Sequence, residues 1–175
     1  MKLKLSRRTS FYILLAILLL LLAVRYAFQV EIPRIILTVV VVSMAMFGNK
    51  NEILAVIMCC IPLHNAVNLY ISMIACSAIL VFKYLAQFRL GSPAIAVVIM
   101  ILWELFHSLM FETSLYQMLV SVIPFIVVAV VLSFDVHDIE YTYIVRLMTF
   151  IALYMCALHL MYYVINSNGN LVDAF

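Results

Sequence analysis

Apolar residues fill nearly every stretch of this chain, and rare polar clusters cut it into segments of bilayer length. The first apolar run extends from about Phe11 to Phe28. A second starts near Pro33, a residue suited to a first helical turn, and closes at Phe47-Gly48 ahead of Asn49-Lys50-Asn51-Glu52. The region from Ile53 to Tyr84 is too long for one ordinary span and is interrupted by Pro62-Leu63-His64-Asn65. It divides into segments over about 52–65 and 66–84. Later segments cover about 94–111 behind Gly91-Ser92-Pro93, about 116–134 with Pro124 as an expected kink, and about 141–165. A polar stretch, Asn166-Ser167-Asn168-Gly169-Asn170, follows the last of them.

Composition turns these segments into membrane spans. The 175 residues are 69% hydrophobic and 10% charged, with a mean hydropathy of +1.24. Soluble domains hold about 45–50% apolar and about 25% charged residues. In hydrocarbon the backbone finds no water, so each polar group must be satisfied inside its own segment. The expected fold is all-α: a polytopic transmembrane helical bundle of about seven spans, six to eight, in one domain over 1–175.

Charge sets the expected orientation. A net charge of +2 is too small to suggest nucleic acid. With the N-terminus inside, Lys2, Lys4, Arg7, Arg8, Lys50, Lys83, Arg89 and Arg146 fall on the cytoplasmic side, and only Arg25 and Arg34 fall outside. Cytoplasmic loops carry the excess of Lys and Arg, so this is the favoured topology. The basic start could also open a signal peptide. The exit from the first run, Ala23-Val24-Arg25-Tyr26-Ala27, puts Arg where a small residue belongs before a cleavage site, so an uncleaved first span is expected. Cys59, Cys60, Cys76 and Cys156 all lie in apolar runs without a metal-ligand spacing, and are expected to act as small hydrophobes.

Polar groups inside a span are costly, which makes each a candidate for function. Glu104 and His107 stand at i and i+3, on one helix face. Their structural role would be a hydrogen-bonded pair between helices. A di-iron bundle would need a second such pair and further Glu residues, which the chain lacks, so no metal is expected. Asn65, Asn68 and Ser72 share a face continued by Ala75 and Cys76. That face suits interhelical hydrogen bonding and close packing, or, with His64 and the Pro62 break, the wall of a substrate cavity. In the expected topology Arg25, Arg34, His64, Asn65, Glu104, His107, Glu112 and His159 all lie toward the outer side. His159 and Arg25 also have ordinary readings, as a packing residue and a snorkelling one. Asp135 and Asp138 read as a solvated loop, and no soluble-enzyme motif is present.

At Cys60-Ile61-Pro62-Leu63-His64-Asn65, and again at Trp103-Glu104-Leu105-Phe106-His107, the chain resembles the bacterial O-antigen polymerase and ligase family, in particular its capsular and exopolysaccharide repeat-unit polymerases. That resemblance implies a protein of the bacterial inner membrane acting on undecaprenyl-diphosphate-linked oligosaccharide at the outer face, without metal or nucleotide cofactor. It implies catalytic roles for Glu104 or His107 as base and a leaving-group role for Arg25 or Arg34, with His64 and Asn65 near the substrate. Members are about twice this length, so the chain is expected to match an N-terminal half, inactive alone and completed by a C-terminal partner half. The competing expectation is a non-enzymatic membrane subunit or transporter half.

Overall fold

The computed structural model describes residues 6–67, 69–111, 114–134 and 139–166. Among them the chain forms seven α-helices: α1 (Arg7–Ala27), α2 (Arg34–Phe47), α3 (Lys50–Val67), α4 (Tyr70–Lys83), α5 (Ser92–Met110), α6 (Leu115–Leu132) and α7 (Tyr141–Asn166). A short 3-10 turn over Leu85–Gln87 joins α4 to α5. The all-helical class therefore holds, and helices stand where the apolar runs predicted them. Three are long and apolar enough to cross a membrane on their own: Arg8–Ala27, Ser92–Met110 and Tyr141–Val164. At 14 residues each, α2 and α4 are shorter. They reach about 21 Å at 1.5 Å per residue, against a hydrocarbon core of about 30 Å. Glu112, the acidic 135–138 segment and the polar stretch after Asn166 lie outside the described residues.

Helix α3 occupies the centre, packed on α2, α4, α6 and α7. Its first half shows why: Ile53, Leu54, Ala55, Val56 and Ile57 are buried without a break, so every side of the helix meets protein. A helix apolar all round belongs inside a bundle. Helix α1 lies against α2 and α7 on one flank, whereas α5 leans on α6 at the opposite edge. The Tyr154 hydroxyl of α7 donates to the Leu19 carbonyl of α1 at 2.7 Å.

Two boundaries differ from the sequence reading. Asn49-Lys50-Asn51-Glu52, read as a loop ahead of the third span, instead opens α3. The Asn49 Oδ1 accepts from the Glu52 N–H at 2.9 Å, and Glu52 Oε2 accepts from the Asn49 N–H at 2.8 Å. This reciprocal capping box satisfies two backbone donors that the first helical turn leaves without partners. The region from Ile53 to Tyr84 does divide into two helices, but a few residues later than expected, because α3 continues through Pro62 to Val67 and α4 opens at Tyr70. Helices within a membrane tolerate an internal Pro when neighbours and local adjustment re-satisfy the freed backbone.

The helices run up and down in alternation. Residues from the starts of α1, α3 and α7 and from the ends of α2 and α4 line one shared cavity. At the same end Lys50 donates to Gln87 Oε1 at 3.1 Å, and the Arg89 N–H donates to the Ser133 carbonyl at 2.8 Å. Gly48, with φ of −67°, is needed there for space and not for conformation. A Cβ on it would meet the Met44 carbonyl at 3.0 Å and the Glu52 Cβ at 3.2 Å. Backbone cannot give way as a flexible side chain can, so Gly48→Ala is expected to cost about 1–3 kcal/mol. Thermal denaturation of the purified protein measures it; an unchanged midpoint would show that the α2–α3 junction has slack.

Candidate functional site

The structure distributes the sequence candidates over separate places. Glu104 and His107 share α5 at the edge of the bundle, where Glu104 is half-buried and His107 is exposed. His107 stacks on Phe111 with ring centroids 4.4 Å apart. The face beyond them, Leu102, Trp103, Phe106, Leu109 and Met110, is exposed and apolar. The bulky residues on both sides of this pair point outward, and the helix turns inward on Ala94 and Ser108, the residues it buries.

His64 and Asn65 belong to the last turns of α3, and their side chains lie outside the described residues, as does Asn68. The rest of that small-residue face is in place. Ser72 is fully buried and donates from Oγ to Thr38 Oγ1 of α2 at 3.2 Å, and Cys76 Sγ lies 3.8 Å from the Val41 carbonyl. Ser72 and Cys76 thus hold α4 against α2, the packing role that small and hydroxyl-bearing residues serve between membrane helices.

The outer candidates that do meet are Arg25 and His159. Helix α1 ends at Ala27, and α7 brings His159, Tyr162 and Tyr163 alongside, one turn apart and so on one face of the helix. Together with Tyr26, Gln29, Val30 and Glu31 they line an open pocket of about 390 Å³. The rings are arranged as a cluster: Tyr26 lies 4.8 Å from His159 and 6.4 Å, edge-on, from Tyr162, which in turn sits 5.8 Å from Tyr163. His159 Nδ1 is 2.8 Å from the Met155 carbonyl. A carbonyl only accepts, so Nδ1 carries the proton and Nε2 of the neutral ring keeps its lone pair. Gln29 has a φ of 54°, a left-handed conformation uncommon for a non-glycine residue. It turns the chain just beyond α1 so that Val30 and Glu31 reach the pocket rim. Arg34 is exposed at the first residue of α2, across that turn, and does not line this pocket.

This grouping can do definite chemistry. A guanidinium binds phosphate oxygens through paired N–H donors, tyrosine rings offer apolar faces with a polar edge, and an imidazole with a free Nε2 can accept a proton. The sequence showed Arg25 and His159 singly, 134 positions apart in their own apolar runs. What it did not show is that α1 and α7, the first and last helices, are neighbours. The recurrence of Tyr near both run ends was the available signal. No protein-family model, curated protein or solved structure matches the chain.

Proposed function

We propose that this chain is a seven-pass protein of the bacterial inner membrane, N-terminus cytoplasmic, that takes part in surface-polysaccharide assembly in the manner of O-antigen and capsule repeat-unit polymerases. Alternation of the seven helices and the bias of Lys and Arg toward one set of helix ends support the topology. The observation that carries the function is the α1/α7 pocket, where Arg25, His159 and three tyrosines meet, with Glu31 at the rim, at the helix ends assigned to the outer face. Its ligand is an undecaprenyl-diphosphate-linked oligosaccharide. Arg25 faces the diphosphate, and the tyrosine rings pack against the faces of the sugars.

In the transfer step the acceptor hydroxyl attacks the anomeric carbon of the donor as the bond from that carbon to the diphosphate oxygen breaks. The diphosphate leaves with the bonding electrons, stabilised by Arg25. The hydroxyl proton passes to His159 Nε2. This moves the base from α5, where the resemblance put it, to α7.

The test is binding of undecaprenyl diphosphate to the purified chain in lipid nanodiscs. Arg25→Gln should weaken binding about tenfold, the worth of a hydrogen bond to a charged group, while Glu104→Gln leaves it unchanged. Unchanged binding by Arg25→Gln would overturn the assignment. The second reading, a non-enzymatic subunit or transporter half, is favoured by the exposed apolar face of α5, which offers a partner a surface remote from the pocket. It is preferred if the chain captures no diphosphate lipid at all.

A further inference from the structure

At the opposite end of the bundle five helix termini enclose a polar cavity of about 330 Å³, lined among others by Arg8, Asn49, Glu52, Lys83, Glu140 and Tyr143. We propose that this cavity binds the headgroup of an aminophospholipid, with the lipid's ammonium on Glu52 and its phosphate on Arg8. The proposal does not depend on the glycan reading.

Three observations lead to it. Glu52 is 3% exposed, yet it lines the cavity, and among the described residues its carboxylate accepts a hydrogen bond from the Asn49 N–H at Oε2. A buried carboxylate without a cation is costly, so the cavity favours a positively charged donor. The lysine that lines the same cavity is directed at the end of α2, where the Lys83 ammonium donates to the carbonyls of Ala45, Met46 and Gly48.

The lining charges also balance, Arg8 and Lys83 against Glu52 and Glu140. Such a site suits a zwitterion better than a net anion, which would meet both carboxylates. Finally, Arg8 belongs to two spaces at once. Beside the polar cavity runs an open groove of about 470 Å³ along α1, lined by Ser6, Arg8, Thr9, Tyr12, Ile13 and Ala16. The groove turns apolar as it follows the helix toward its middle. Between the two spaces stand Tyr12, in the groove, and Tyr143, in the cavity, with their hydroxyls 3.3 Å apart. Polar cavity, shared cation and adjoining apolar groove match a headgroup, a phosphate and an acyl chain in order.

A primary ammonium donates hydrogen bonds to Glu52, whereas a trimethylammonium cannot and a glycerol headgroup brings no cation. The test uses the full chain in nanodiscs of equal parts phosphatidylethanolamine, phosphatidylcholine and phosphatidylglycerol, with the lipids retained on mild extraction counted by mass spectrometry. Phosphatidylethanolamine should be retained preferentially. Glu52→Gln should abolish the preference, a change of about tenfold. Gln at this position still completes the capping box, so an unaltered melting profile separates lost charge from lost fold. Arg8→Gln should lower retention of all three lipids at this site. Water-soluble glycerophosphoethanolamine, added alone, should bind far more weakly because it lacks the chain for the groove. Equal retention of the three lipids by the unaltered protein, or an undiminished preference in Glu52→Gln, would overturn the proposal. Binding of the soluble headgroup as tight as that of the lipid would do the same, and would make the cavity a small-solute site.

Discussion

Replacing Ile57 by Asp is expected to prevent this protein from folding, whereas Leu102→Ala on α5 should be tolerated. Ile57 is fully buried in the central helix, where its neighbours come from the surrounding helices and not from lipid. A buried charge is costly unless it is paired. A carboxylate with no partner in a packed interior costs several kcal/mol. The lost methyl and methylene groups leave a cavity besides. Against a total stability of about 5–15 kcal/mol, that sum is decisive. Leu102, 61% exposed on the outer side of α5, has little packing to lose. Size-exclusion chromatography of detergent extracts reads the outcome: a monodisperse peak for Leu102→Ala and aggregate or no material for Ile57→Asp. The reverse result would place α5, and not α3, at the centre.

The second large effect is expected at Lys83. Its ammonium donates to the carbonyls of Ala45, Met46 and Gly48 at 3.3, 2.9 and 2.7 Å, and so closes the C-terminal end of α2 from α4. Those carbonyls have no partner within their own helix, and a cation there also meets the negative end of the helix dipole. Lys83→Met keeps the length and apolar stem of the side chain but removes every donor. Charged hydrogen bonds contribute about 1.5–3 kcal/mol each and do not add fully, so a loss of about 2–4 kcal/mol is expected in thermal or denaturant unfolding. A loss below about 0.5 kcal/mol would show that water replaces the ammonium without cost.

Lys83 also marks the limit of what its position alone conveyed. In sequence it is one more basic residue at a segment end, and it counts toward membrane orientation. That it caps a different helix requires α4 to end beside the end of α2, a fact of packing. Arg25 and His159 repeat the lesson from farther apart, since neither carries a local mark that the other is near. Glu104 and His107 show the converse. Their spacing correctly put both on one side of α5, but spacing cannot say whether that side meets a neighbour, because this depends on where the helix sits in the bundle.

The sequence by itself determined the helices. Apolar runs, broken by a few polar clusters, leave the backbone no partners except its own, so the number and approximate limits of α1 to α7 follow from hydropathy and from Pro and Gly positions. Even the misplaced start of α3 had a local signature, the Asn49-x-x-Glu52 capping pattern. Tertiary structure decided which helix is central, which is peripheral, and which distant ends face each other across the α1/α7 pocket and the cavity at Glu52. In a chain this apolar, nearly every helix face is chemically alike. Hydrophobicity therefore does not rank the faces for burial, and shape-dependent packing together with a handful of hydrogen bonds makes the choice.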